Sequence, residues 1–106
     1  MGVVANVIAY INTHYDRRLT LSDLAEMHFV SKYHLSHEFS RQLGTSVHRY
    51  IQKKRLLIAR QMLLQGSKPN EVAARCGFGD YAGFYRAFKT EYRISPRAFF
   101  SSARNP

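Results

Sequence analysis

Apolar residues recur along the chain at the spacing of one helix face. Val4, Val7, Ile8, Ile11 and Tyr15 follow the i, i+3, i+4, i+7 rule and predict a first helix that stops at Asp16-Arg17-Arg18. Thr20 or Ser22 suits the N-cap of a short helix holding Leu24, Ala25 and His28. Asp23 and Glu26 are expected in its first turn, where the helix dipole favours acid. Phe29-Val30 falls in a tight turn. Ser31 then caps a helix running through Leu43, with the ladder Leu35, Phe39, Leu43 on its buried side and Gly44 as its stop. Ser46 caps an uninterrupted helix from about Val47 to Gln65, whose broad apolar face is Val47, Tyr50, Ile51, Ile58, Ala59, Met62 and Leu63. Gly66 ends it. Pro69 fits the first turn of another short helix with Glu71, Val72 and Ala73. Gly77-Phe78-Gly79 reads as a turn. Asp80 caps a helix to about Tyr92 with the ladder Phe84, Phe88, Tyr92, and Ser95-Pro96 opens a last short helix with Phe99 and Phe100. No stretch alternates with a period of two, so the fold class is all-α without a sheet.

The two halves of this pattern repeat. Leu35, Phe39, Leu43, Ser46 and Tyr50 return 49 residues later as Phe84, Phe88, Tyr92, Ser95 and Phe99. Ala25 and Val30 return 48 residues later as Ala73 and Phe78, with Gly79 as the extra residue. Each half is therefore a short helix, a tight turn and a capped helix, which is the helix-turn-helix unit. The division expected is a first subdomain over residues 1–46, a linker helix over 47–65 and a second subdomain over 66–106.

Charge then narrows the function. The 106 residues carry 16 Lys+Arg against 7 Asp+Glu, a formal net of +9, and 45% are hydrophobic, enough to form a core. Such an excess of positive charge points to an anionic partner, and nucleic acid is the commonest. One cysteine leaves no internal disulfide framework and no multi-cysteine zinc module. No apolar run approaches the length of a membrane span. Met1 to Ile11 lacks a basic start and a cleavage pattern, so it is not read as a secretory signal. Met1-Gly2 begins like an acylation site, but Asn6 stands where a hydroxyl residue is wanted. The expectation is a cytoplasmic protein with no cofactor, no metal and no membrane partner.

In a helix-turn-helix unit the second helix enters the major groove of double-stranded DNA. At about 100° per residue, the ladders fix which side is left to read bases. Tyr33, His37, Ser40 and Arg41 oppose the first ladder, with Ser36 on the flank. Ala82, Arg86, Lys89 and Thr90 oppose the second, with Tyr85 on the flank. Arg86, equivalent to His37, is the best single candidate for base readout. A guanidinium grips guanine O6 and N7 together, for about 1–3 kcal/mol of discrimination. The rival for Arg86 is an exposed ion pair with Glu91 or Asp80. Phosphate contacts are expected from Lys32, Arg41, Lys53, Lys54, Arg75, Lys89 and Arg93. Backbone N–H groups at the helix starts Ser31, Ser46 and Ser95 are further candidates. Asp80 is awkward beside a phosphate, so its carboxylate is expected to serve its own helix. A linker helix of about 28 Å plus its turns suits two readers roughly 34 Å apart, one turn of B-DNA.

Other functions fit less well. His34-x-x-His37 has helical i, i+3 spacing, but a third metal ligand is missing nearby. Neither a phosphate-cradling glycine loop nor a nucleophile elbow is present. Cys76 reads as a small core residue before a turn rather than a redox sensor. Docking to a protein or an acidic membrane through the linker helix would leave that helix's apolar face unexplained. The chain is not expected to be an enzyme.

Several runs of residues together resemble the C-terminal DNA-binding domain of the AraC/XylS family of bacterial transcription regulators. They are Leu21-Ser22-Asp23-Leu24-Ala25, then Ser31 through Phe39, Gly44-Thr45-Ser46, Tyr50-Ile51, Arg55-Leu56 and Ala59. The most specific are Val72-Ala73, Cys76-Gly77-Phe78, Phe84, Arg86, Phe88-Lys89 and Ser95-Pro96-Arg97. The resemblance spans about Ile8 to Phe100. It implies seven helices in two helix-turn-helix subdomains on a linker helix. It implies base contacts from Tyr33, Ser36 and His37 in the first reader and from Tyr81, Ala82, Tyr85 and Arg86 in the second. It also implies activation through RNA polymerase, with repressors known in the family, and a separate N-terminal effector or dimerisation domain if this is a fragment. The chain departs from the family pattern at Val47, where proline is common, and at Arg93, where glycine is common. Gly79, Ala82 and Gly83 leave the start of the second reader almost bare of side chains.

Overall fold

Five hydroxyl or carboxylate side chains start five helices by the same bond. Thr20 Oγ1 accepts from the N–H of Asp23 at 3.1 Å, Ser31 Oγ from His34 at 3.0 Å, Ser46 Oγ from Arg49 at 3.0 Å, Asp80 Oδ1 from Gly83 at 2.7 Å and Ser95 Oγ from Ala98 at 3.1 Å. Each satisfies one of the backbone donors that a helix start leaves without a partner. The computed structural model describes residues 2–104. Met1, at the head of the stretch weighed above as a signal, and Asn105-Pro106 lie outside the described residues.

The elements are α1 (Val3–His14), α2 (Leu21–Met27), α3 (Lys32–Leu43), α4 (Val47–Leu64), α5 (Pro69–Arg75), α6 (Tyr81–Tyr92) and α7 (Pro96–Arg104). Among the described residues there is no strand, so the fold is all-α with seven helices, as expected. Thr20 rather than Ser22 caps α2, and this leaves Asp23 alone as the acid of its first turn. Glu26 lies too far along α2 to meet the free N–H groups, which corrects its expected place.

The chain forms two compact units, the first ending at Lys53 and the second starting at Lys54. In the first, Val4, Val7 and Ile11 of α1 meet Leu24 and Ala25 of α2, Leu35 and Phe39 of α3, and Val47 and Ile51 from the start of α4. In the second, Leu56, Ala59 and Leu63 of α4 meet Val72, Ala73 and Cys76 around α5, and Phe84 and Phe88 of α6. Tyr92 and Phe99 pack on Phe88 with ring centroids 4.8 and 5.8 Å away.

Both ladders are shorter than the sequence pattern suggests. Leu35 and Phe39 are fully buried, but Leu43 is 40% exposed. Phe84 and Phe88 are fully buried, while Tyr92 is half-buried. A step of four residues overshoots a helical turn by about 40°, so a third rung has turned some 80° from the first. It leaves the core side just as the helix ends.

The turns of the two units match bond for bond. Val30 N–H donates to Ala25 O at 3.0 Å, and Phe78 N–H to Ala73 O at 3.1 Å. The residue between helix and acceptor turn is left-handed in both, Phe29 at φ 59° and Gly77 at φ 92°. The end of α4 is closed from α7: Arg104 Nη2 donates to Leu64 O at 2.7 Å.

Candidate nucleic-acid interface

The buried faces of α3 and α6 leave one exposed strip on each helix. On α3 the strip is Tyr33, Ser36, His37 and Ser40, all exposed, with Tyr33 at 79%. The Tyr33 and His37 rings lie one turn apart, nearly parallel at 9° with centroids 6.0 Å apart. That arrangement puts two side chains with hydrogen-bonding groups next to each other on the exposed face. Lys32 and Ser31 sit at the start of the helix, where backbone N–H groups and the dipole favour an anion. The Ser31 hydroxyl accepts from His34 and still has its own proton to give.

Arg41 is not a free cation. Its Nη2 lies 2.7 Å from Glu38 Oε1 and its Nε 3.2 Å from Glu38 Oε2. Gln42 Nε2 adds a third donor to Glu38 at 3.3 Å. Hydrogen bonding to Arg41 holds the Glu38 carboxyl down at about 2, and the same bond raises the guanidinium's own pKa. The i, i+3 spacing of the two residues is the signal in the sequence that foretells this pair.

On α6 the exposed strip is Ala82, Tyr85, Arg86, Lys89 and Thr90. Among the described residues Arg86 makes no ion pair with Glu91 or Asp80, so its fork stays open. Lys89 Nζ stands 6.0 Å over the Tyr85 ring. Tyr81 differs from the other candidates: it is half-buried, with its ring edge-to-face on Phe84 at 5.7 Å. Its ring is partly committed to the core and leaves mainly its hydroxyl end for a ligand. Asp80 does serve its own helix through Gly83. A Cβ on Gly83 would stand 2.8 Å from Asp80 Oδ1, so the bare position makes room for the cap.

The remaining basic candidates lie on other elements or at helix ends. Lys53 is exposed and Lys54 half-buried on α4. Arg75 is exposed at the end of α5, and Arg93 is the exposed C-cap of α6. Ser46 and Ser95 are N-caps, Ser46 exposed and Ser95 half-buried. Among the described residues no three His, Cys, Asp or Glu stand together to hold a metal ion. No helix among them is long and apolar enough to cross a membrane.

A family model described as a helix-turn-helix domain, that of the AraC type, matches residues 24–102, the stretch that holds both exposed strips. The chain belongs to the AraC family. This AraC-type DNA-binding domain is 31% identical over 91 residues to the probable transcriptional regulator LumQ of Photobacterium leiognathi, covering 85% of this chain and 37% of LumQ. It is 29% identical over 92 residues to the transcriptional activator RhaS of Klebsiella pneumoniae, covering 86% of this chain and 33% of RhaS. The AraC-type domain thus spans about a third of the length of these curated relatives. Among solved structures it is similar to the DNA-binding domain of AdpA, a global transcriptional factor crystallised with a target DNA. The TM-score is 0.92 at 25% identity, over 100% of this chain and 98% of that one.

Proposed function

We propose that the chain binds double-stranded DNA by sequence, with α3 and α6 in successive major grooves, and serves a bacterial transcription regulator that activates. The observation that carries this reading is the paired exposed strips. Each lies on a capped helix whose opposite side is locked by two fully buried ladder residues. Tyr33, Ser36 and His37 read base edges from α3, and Arg86 reads from α6 with Tyr85, Ala82 and the hydroxyl of Tyr81 beside it. Lys32, Lys53, Lys89 and Arg93, with the N-termini at Ser31, Ser46 and Ser95, hold phosphates.

Residues 47–65 act as the linker that spaces the readers between the subdomains at 1–46 and 66–106. A single chain then reads an asymmetric site. The name of RhaS, an activator, supports activation over repression, with RNA polymerase as the protein partner. An effector-binding or dimerisation domain joined to this one would supply the signal. The domain works in the cytoplasm without a cofactor and without catalysing a reaction.

Selecting bound sites from a random duplex pool tests the reading. Two short elements about one helical turn apart, both protected on one DNA face, are expected. A pool that enriches no sequence overturns it.

A further inference from the structure

The two units share a fold but not a charge. Up to Lys53 the chain has six Lys+Arg and four Asp+Glu, a formal net of +2. From Lys54 onward it has ten and three, a net of +7, which together make the 16 and 7 of the whole chain. The first unit also places its acids beside its cations. Asp23 and Glu26 line the same cleft as Arg17 and Arg18, and Glu38 holds Arg41.

The exposed strips differ in the same sense. The α3 strip is rich in hydrogen-bonding groups, Tyr33, Ser36, His37 and Ser40, with Lys32 at its start and Arg41, paired with Glu38, at its edge. At the start of α6, Ala82 offers a base edge only an apolar contact and Gly83 has no side chain, while Tyr81 is half-buried and Tyr85 adds a hydroxyl. The charged groups of α6 on this side are Arg86 and Lys89, and Arg93 and Arg97 follow in the next turn and helix, all exposed.

Cations on phosphates supply affinity with no sequence choice, while neutral donors and acceptors on base edges supply choice with little release of counterions. We propose that the two units divide these tasks: the second is an electrostatic anchor for DNA of any sequence, and the first is the discriminator that selects the site through Tyr33, Ser36 and His37. The inference rests on the DNA-binding reading above and adds to it which half of the site carries the information. The element under α3 is then strongly constrained. The element under α6 is degenerate except for the base gripped by Arg86.

Three variants of the full chain test this, with helical content checked by circular dichroism. They are Lys32→Gln/Arg49→Gln/Lys53→Gln, Lys89→Gln/Arg93→Gln/Arg97→Gln, and Tyr33→Ala/His37→Ala. Each is titrated with a selected duplex and a shuffled one across a salt series. The second-unit triple is expected to weaken both duplexes by the same factor and to make the log–log salt slope shallower by about two to three. The first-unit triple should change the slope by less than the second-unit triple does, at most about two, from Lys32 and Lys53. Tyr33→Ala/His37→Ala should keep the slope and bring the selected duplex down to the level of the shuffled one. A native-protein arm shuffles one element at a time, the α6 element being the one whose preference relaxes in Arg86→Ala. Shuffling the α3 element should cost tenfold or more, and shuffling the α6 element with the base gripped by Arg86 kept in place threefold or less. An enriched site with equal slope losses in the two triples, or with equal costs for the two elements, overturns the division and leaves DNA reading intact. A pool with no enriched site overturns both.

Discussion

Gly44 and Arg93, 49 residues apart, hold the same left-handed helix cap in the two units. Gly44 lies at φ 70°, ψ 15° and Arg93 at φ 63°, ψ 18°. Each donates its N–H at 2.8 Å to the carbonyl four residues back, Ser40 in one case and Lys89 in the other. The conformation suits glycine and strains a residue with a Cβ. Arg93→Gly is therefore expected to raise stability by about 0.5–1 kcal/mol, and Gly44→Ala to lower it by about 1 kcal/mol. No atom stands within 4 Å of a Cβ built on Gly44, so the loss there is conformational rather than steric. Urea denaturation of both variants checks the pair. Lower stability in Arg93→Gly would mean that the guanidinium makes a contact that matters more than the backbone.

Phe29 poses the same question one turn earlier. It occupies the place of Gly77, at φ 59°, and 94% of its surface is exposed. An aromatic ring there bears the cost of a left-handed backbone and buries almost nothing. Phe29→Gly should stabilise by about 0.5–1 kcal/mol, the relief of strain less the extra chain entropy of glycine. Thermal melts of the two proteins decide it, and a lower midpoint for the variant would contradict the assignment of strain.

Phe39 and Phe88 are the ladder residues opposite the exposed strips of α3 and α6. Both are fully buried. Phe39 meets Tyr50 edge-on at 5.6 Å, and Phe88 touches three other rings. Truncating either to alanine should cost about 3–5 kcal/mol. Denaturant titration followed by circular dichroism measures the loss. A cost below about 1 kcal/mol would place the core elsewhere.

The helices and the repeat were legible because spacing and caps are local properties of the chain. Ser31, Asp80 and Ser95 announce helix starts, and the 49-residue echo of Leu35 and Phe39 in Phe84 and Phe88 announces the two units. Burial within an apolar run was not legible. The apolar face read for α4 takes Ile58 and leaves out Leu56, yet Leu56 is 2% exposed, Leu57 47% and Ile58 only half-buried, because only the side facing α5 and α6 is covered. The sign of φ at Phe29 was equally hidden, since a turn residue other than glycine does not declare its handedness. On the candidate interface, the opposite-face rule puts Tyr33, His37 and Arg86 on exposed sides, and all three are exposed in the structure. It does not foresee that Arg41, a phosphate candidate, pairs with Glu38, because it weighs each residue against the ladder and not against the residue three positions earlier.

That pair gives the remaining prediction. The Glu38 carboxyl, held at about 2 by Arg41, stays ionised at every pH above the acid range. The pairing is fully present above the ordinary carboxylate pKa of 4.5 and is lost as pH falls from there toward about 2. At neutral pH the Glu38 carboxylate thus offsets the charge of Arg41. Glu38→Gln removes the opposing charge and frees the guanidinium on the edge of the α3 strip. Binding should tighten alike on selected and shuffled DNA, and the salt slope should steepen by about one. Stability should fall only a little, because Arg41 is 61% exposed and Glu38 half-buried, and pairs open to solvent contribute little. The measurement is a fluorescence-anisotropy titration of both duplexes across a salt series. If only the selected duplex gains affinity, Arg41 reaches a base and not a phosphate. If neither gains, Arg41 points away from DNA even when released.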